Sequence, residues 1–443
     1  MSHVKHFGAV GDGRADDTHA IRHCLEKSDG QVVFPRGVYR ITQTIEVNLA
    51  KLGRAALSGD GGVATLVMDG PGPALRIVGS HTGSAHPPTI KPAVWERERM
   101  PTVTQLEVVG NHDLADGIEL EGTMQATLAG VLIRRCRYGV HLVKRNRNLL
   151  LSHCHLYEGR GTDAIGVYFD GVNLHQANLI GCHISYFAHA GVKIQRSEIR
   201  NLQITGCDIE YNHDPTFAAP DSADIWIDAR EGTVREATIA SCTIQARKSP
   251  GGANVRIEGA PNALSTSAGL WTITGNVIQS QSINLLLRNC RGVVVSGNSF
   301  CSGHERTAVI ERCHNVALGT NTIDYNPDYE GDRMDGVLIR DSSGVMIDGL
   351  VLQSIRAGDA EKGGAIEVHD SRDVTLANCQ IFDPTQRGLH LHNVRDAIVH
   401  GCRVAERRTP AAMREAVLLT GSTDPTLAAN RFDKGTHGDI VRR

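Results

Sequence analysis

Trp271-Thr272-Ile273-Thr274-Gly275-Asn276, Val293-Val294-Val295-Ser296-Gly297-Asn298 and Val316-Ala317-Leu318-Gly319-Thr320-Asn321 are three copies of one pattern. An apolar-x-apolar strand is followed by two small or polar residues and then Asn. The same pattern ends on Asn at Asn111 and Asn430, and on Cys at Cys136, Cys154, Cys182, Cys207, Cys242, Cys379 and Cys402; Leu350 breaks it. Successive marks are separated by 18 (Cys136 to Cys154) to 35 residues (Cys207 to Cys242). That spread fits a one-coil repeat with loops of variable length. Asn recurring at one bend predicts a side-chain amide ladder, and Cys at the same bend packs as a small hydrophobe.

A second strand recurs between these marks, as in Gly117-Ile118-Glu119-Leu120, Gly139-Val140-His141-Leu142, Gly166-Val167-Tyr168-Phe169 and Gly191-Val192-Lys193-Ile194. Alternation at period two turns its apolar residues inward and the others outward. Each coil therefore supplies at least two short strands, and like strands stack in parallel. The repeat shows no helical periodicity, which argues against an α/β solenoid. The predicted fold is an all-β, single-stranded parallel β-helix forming one domain over 1–443. Residues 1–45 are its cap and first strands, 46–430 its coils and 431–443 a tail.

Composition agrees. The chain has 443 residues, 41% hydrophobic but only 4% aromatic, so the core is aliphatic. Its 47 Gly and 15 Pro suit many strands joined by turns. A net charge of -3 without a basic block excludes a nucleic-acid footprint, and no apolar run is long enough for a membrane span. The opening MSHVKHFGAVGDG lacks the basic-then-apolar order of a leader. The eleven Cys fall mostly on the repeated position, which predicts buried unpaired thiols, a pattern that also suits cytoplasm.

The N-terminus reads differently. Phe7 to Gly13 is rich in turns, Asp16-Asp17-Thr18 offers an N-cap, and Ala20, Ile21, Cys24 and Leu25 line one helix face. A short amphipathic helix here covers the open apolar end of the coils. The stretch FGAVGDGRADDTHAI (7–21), followed by VVFPRGVYRI (32–41), closely resembles the N-terminal signature of the pectate-lyase superfamily. Plant-type polygalacturonases, some β-glucanases and phage tailspike depolymerases share that signature. The resemblance implies a right-handed, pectin-lyase-like β-helix, a carbohydrate substrate and an extracellular or periplasmic setting. It does not name a reaction, because one fold hosts many chemistries. The Asn-Thr-Asp, Asp-Asp, Gly-His-Gly and Arg-Ile-Lys motifs of polygalacturonases do not occur at the corresponding strands, and no calcium-pectate-lyase or alginate-epimerase motif is present.

In this family the substrate lies along the outer face of the Gly-apolar-x-apolar sheet. The outward ladder from Tyr168 to Arg288 mixes acids, cations and aromatics, as a polymer groove requires. Tyr168, Gln195, Asp224, Trp226 and Arg288 are its candidate substrate contacts, with Trp226 read as a sugar platform. Asp170 and Asp228, two coils apart, would stand roughly 9–10 Å from each other, near the upper limit of an inverting pair. Asp228 and Glu258, one coil apart at about 5 Å, would suit a retaining pair. Lys193, Arg256, His189 and Tyr168 would instead serve β-elimination from a uronate, a cation holding the carboxylate while a base takes the C5 proton. Ordinary salt bridging among these charges is the competing reading. His369, His390 and His392, near Glu367, read as an exposed ladder rather than a metal site.

The expected function is cleavage of a polysaccharide or oligosaccharide, with hydrolysis preferred to β-elimination. A non-catalytic carbohydrate-binding β-helix is the third reading. A hydrolase needs no cofactor, whereas a lyase would admit Ca2+. Neither nucleic acid nor membrane is an expected partner, and the chain would act as a monomer or homo-oligomer.

Overall fold

The computed structural model describes residues 1–262, 266–329 and 331–443. Met1–Trp226 with Glu231–Val234 form one compact unit; Ile227–Arg230 with Arg235–Arg443 form a second. Each is a right-handed parallel β-helix.

The coil is built from strands broken by single left-handed residues. In the first unit, Tyr138–Ser152 bends at Lys144 (φ 57°) and Asn148 (φ 54°), and His153 (φ 52°) precedes the short strand His155–Tyr157. The next coil repeats this at Gly171 (φ 58°), Gln176 (φ 67°) and Gly181 (φ 59°). Each non-glycine corner costs about 1–2 kcal/mol, offset by a full ladder of hydrogen bonds to the neighbouring coils. Register is strict: Val140 pairs with Ile118 on one side and Val167 on the other, and Val167 with Val192. The inward residues Ile118, Leu120, Val140, Leu142, Val167, Phe169, Val192 and Ile194 are fully buried. The glycine opening this strand is obligatory. A Cβ on Gly139 would lie 2.5 Å from the carbonyl oxygen of Gly166, and one on Gly166 would lie 2.5 Å from that of Gly191.

The amide ladder exists in the second unit. Asn276 Nδ2 donates to Asn298 Oδ1 (2.9 Å), and Asn298 Nδ2 to Asn321 Oδ1 (2.9 Å). The same Oδ1 atoms accept the backbone N–H one coil back, from Asn276 (3.0 Å) and Asn298 (2.9 Å). Where Cys takes the position it does more than fill space, since the Cys207 thiol donates to Leu179 O (3.5 Å). Two expected members do not belong to this row. Asn111 and Cys136 follow strands Glu107–Gly110 and Leu132–Arg134, which lie in the other sheet, so they occupy a different bend. The apolar-x-apolar pattern is the same in both sheets and does not distinguish them; Leu106 and Val131 hold the true positions, their carbonyls accepting from Leu132 and His155. A second ladder was not anticipated: Cys290 N donates to Cys313 Sγ (3.4 Å), Cys313 N to Ser342 Oγ (3.0 Å), and Ser342 N to Ser371 Oγ (3.1 Å). None of the eleven Cys is in a disulfide, and ten are buried.

The cap helix is Thr18–Lys27 and buries Thr18, Ile21, Cys24 and Leu25. Asp17 stands at its N-cap but does not cap it. Its carboxylate accepts from Val10 N (2.6 Å) and Gly11 N (3.0 Å), so it pins the FGAVGDG turn against the helix start. Asp16 accepts instead from Thr18 N (3.0 Å) and Thr42 Oγ1 (2.7 Å).

Ile21→Asp should destabilise by several kcal/mol through a buried unpaired charge. Asn298→Ala should also cost several kcal/mol, because it strands the donors of Asn276 and the carbonyl of Ile273. Asn111→Ala, at an exposed side chain, should stay within about 0.5 kcal/mol. Urea unfolding midpoints read all three.

Candidate functional site

In the first unit the outward row runs Glu46, Arg76, Glu119, His141, Tyr168 and Lys193 on successive coils. Neighbours in such a row stand about 4.8 Å apart, so like charges repel and unlike charges bond. His141 lies between two carboxylates, 3.4 Å from Glu119 Oε2 and 3.4 Å from Asp170 Oδ2. Burial opposes its charge, but the hydrogen bonds to Asp170 and Glu119 outweigh it and raise the imidazole to about 9. The His141 bond, with the Arg196 guanidinium, holds Asp170 at about 2.

Beside this ion group lies an aromatic one. Tyr138 meets Tyr168 edge-on at 5.1 Å, and His141 stacks on Tyr168 at 5.4 Å. The Tyr168 hydroxyl donates to Gln195 Oε1 (3.2 Å), and burial and the nearby Asp170 charge push its ionisation well up. Lys193 Nζ donates to His189 Nε2 (2.6 Å) and lies 4.4 Å over the Trp226 ring, which is itself 5.1 Å from His189. Trp226 is only 5% exposed. Its face carries Lys193 and His189 instead of standing open to stack a sugar. Asp224, expected to face substrate, is fully buried and accepts from Asn212 N (3.2 Å) and Nδ2 (3.0 Å). It ties the 211–222 loop to the strand, a role that period-two parity could not reveal because Asp224 lies at the very start of Ala223–Ala229.

In the second unit the candidates form an ion ladder. Asp228 accepts from Arg230 through both oxygens (2.8 and 2.7 Å). Glu258 accepts from Arg256 Nε (2.8 Å) and from Arg288 Nη1 (3.2 Å). The row Glu258, Arg288, Glu311, Arg340, His369 and His392 alternates in charge as far as Arg340. The parallel row places Leu286, Val309 and Leu338 together as a small apolar strip, then Glu367 and His390. Of the histidines expected to be exposed, His390 is buried (3% exposed) and His369 and His392 are half-buried, with Glu367 buried beside them. The signal for this was the Glu-x-His and His-x-His spacing on adjoining coils. What hid it was the covering segment around Gly363, whose N–H donates to His390 Nδ1 (3.0 Å).

Three family models match. Residues 1–71 match one described as rhamnogalacturonase A/epimerase, pectate lyase-like; residues 100–244 match the right-handed β-helix region; residues 234–441 match a periplasmic copper-binding protein (NosD). The chain is a right-handed parallel β-helix, and its first 71 residues are similar to the pectate lyase-like model. No curated protein matches it. Among solved structures, this β-helix is similar to the pre-mature gene product 12 of bacteriophage phi29, with a TM-score of 0.50 at 14% identity over 100% of this chain and 56% of that one. ORF18 of Geobacillus virus E2 gives 0.48 at 15% identity, covering 82% of this chain and 63% of that one. The mannuronan C-5 epimerase AlgE6 A-module of Azotobacter vinelandii gives 0.41 at 15% identity, covering 92% and 100%. The chain thus spans roughly three-fifths of the two phage proteins. At 14% identity the likeness to the phi29 protein is one of fold.

The His141 shift makes a signed prediction. The imidazole binds its proton more tightly folded (about 9) than unfolded (6.5), so its stabilisation is complete below pH 6.5 and is lost as pH climbs through 9. Asp170, lowered from 3.8 to about 2, stabilises above pH 3.8 and loses that contribution as pH falls through 2. The melting temperature should therefore fall between pH 6.5 and 9 by more in the wild type than in His141→Gln.

Proposed function

We propose that the chain binds an acidic polysaccharide along the outward face of its first unit and cleaves it by β-elimination, with Lys193 and His189 as the reacting pair. The observation that carries this is the 2.6 Å bond from Lys193 Nζ to His189 Nε2. Because the ammonium donates, His189 Nε2 holds a lone pair, and the imidazole can act as a base. A uronate carboxylate beside Lys193 would be neutralised by the ammonium, which acidifies the adjoining C5–H. As Lys193 turns to the carboxylate it releases the His189 lone pair, which takes that proton; the C5–H pair becomes the C4–C5 double bond, and the C4 oxygen leaves with the C4–O pair and is protonated by water. Trp226 fixes the ammonium from below.

Hydrolysis fits less well. It needs one carboxylic acid that keeps its proton and a second, ionised carboxylate. Asp170, held near 2, is ionised throughout the neutral range. Both oxygens of Asp228 and of Glu258 are engaged by guanidinium groups. The same pairing is a poor match to the convergent carboxylate oxygens of a calcium cage. The pectate lyase-like match over residues 1–71 supports carbohydrate as the substrate class.

A panel of neutral and acidic polysaccharides tests this. The expected result is an unsaturated, ultraviolet-absorbing product from a uronate polymer, lost by about 100-fold or more in Lys193→Ala and His189→Ala. Asp228→Asn should be mild. Reducing ends released without unsaturation would establish hydrolysis instead, and polymer binding with no product at all would favour a binding module.

A further inference from the structure

In the second unit, ligand-type side chains converge where Ile366–His369 pairs with Arg387–His392. Glu367 and His390 are register partners, and His369 stands two residues along from Glu367, so all three project from one face. A carboxylate oxygen and one nitrogen of each ring lie within 4.8 Å of one another. The group sits on strands, and two of its three members are more than nine-tenths buried.

Its hydrogen bonds place the ring protons. Gly363 N donates to His390 Nδ1 (3.0 Å), so that atom carries a lone pair and the ring proton is on Nε2, directed at Thr420 Oγ1 (3.0 Å). The Asn393 amide is oriented by Asp370 Oδ1 (2.9 Å) and Ser422 N (3.1 Å), which turns its Nδ2 toward His392 Nε2 (3.1 Å). His392 therefore bears its proton on Nδ1 and also donates to Thr420 Oγ1 (2.8 Å). A metal-bound imidazole is held in the same manner, its second N–H given to a fixed acceptor. Glu367 is anchored too: Oε2 accepts from Arg306 Nη2 (3.1 Å) while Oε1 faces His369 Nε2 (2.7 Å). The covering backbone is glycine at left-handed torsions, Gly358 (φ 99°) and Gly363 (φ 79°), and a Cβ on Gly363 would stand 3.2 Å from Glu367 Oε2.

We propose that Glu367, His369 and His390 bind a borderline divalent transition metal such as Zn(II), through Glu367 Oε1, His369 Nε2 and His390 Nδ1, with the Gly363 amide as the group displaced. Two imidazoles and one carboxylate match the ligand preference of zinc, whereas calcium takes six to eight oxygens. A small shift of the glycine backbone exposes Nδ1, and the His369–Glu367 bond opens as the His369 ring moves its proton from Nε2 to Nδ1 and presents the Nε2 lone pair to the ion. Arg306 keeps the carboxylate from swinging away, and Thr420 keeps the His390 ring in plane. The site is independent of the elimination chemistry proposed for the first unit.

The test is calorimetric titration of the chelator-treated full chain with Zn(II), with Ca(II) in parallel. The expected result is one equivalent of Zn(II), no comparable uptake of Ca(II), and a higher melting temperature with Zn(II) present. Affinity should fall by about 100-fold or more in His390→Ala and in His369→Ala. It should be unchanged in His183→Ala, which dismantles the half-exposed His183, Asp208 and Glu210 group on the first unit. His390 is buried, so circular dichroism checks that its variant folds; His369, with a side chain 21% exposed, keeps the test valid if it does not. Absence of stoichiometric Zn(II) binding, unchanged affinity in folded His369→Ala, or loss of binding in His183→Ala would each overturn the proposal.

Discussion

A coil of a parallel β-helix cannot satisfy its own backbone. Each N–H and C=O in its strands finds a partner only on the coil before or after, about 4.8 Å away. Equivalent residues therefore stack, and whatever occupies one coil becomes the environment of the next. The glycine row shows the steric side of this, since a Cβ at Gly139 or Gly166 meets the following carbonyl. The asparagine row shows the polar side. Asn276, Asn298 and Asn321 each accept the preceding backbone N–H, and the first two donate to the next amide, so no member is replaceable without stranding a donor.

Stacking also governs the outer face. Charges placed about 4.8 Å apart in a row must alternate or carry a penalty, and Glu258, Arg288, Glu311 and Arg340 do alternate. The same proximity holds His141 charged and Asp170 ionised. Much of the charge on this face is thus structural. Alternation gives way to another arrangement at two places: an ammonium against an imidazole over an indole at Lys193, His189 and Trp226, and two imidazoles against a carboxylate at Glu367, His369 and His390. Both groups are largely enclosed, so their electrostatics act at low dielectric, where each hydrogen bond is stronger.

The repeat, the inward aliphatic rows, the cap helix and the outward parity of Tyr168, Lys193, Asp170 and Glu258 were legible in the sequence, because period two fixes which face a residue takes once its strand is known. The bend that a strand leads into was not legible. Asn111 and Cys136 end the same apolar-x-apolar pattern as Asn276, yet they follow strands of the other sheet. Pattern identifies a strand and its faces, but sheet membership depends on where the left-handed corners fall, and residues as varied as Lys144, Asn148 and Gln176 adopt them.

The sequence by itself determined the β-helix and the rows of Tyr168, Lys193 and Glu258, since both follow from local alternation repeated along the chain. Only the tertiary structure decided what those side chains do. Trp226 supports a lysine instead of offering a free ring, Asp224 turns in to bind Asn212, and Asp17 pins a turn rather than capping its helix. His390 is enclosed by a glycine segment that the primary structure shows only as a loop. The physical reason is common to all four: hydrogen-bond partners and covering groups come from outside the strand or helix that carries the residue, and alternation within an element carries no information about them.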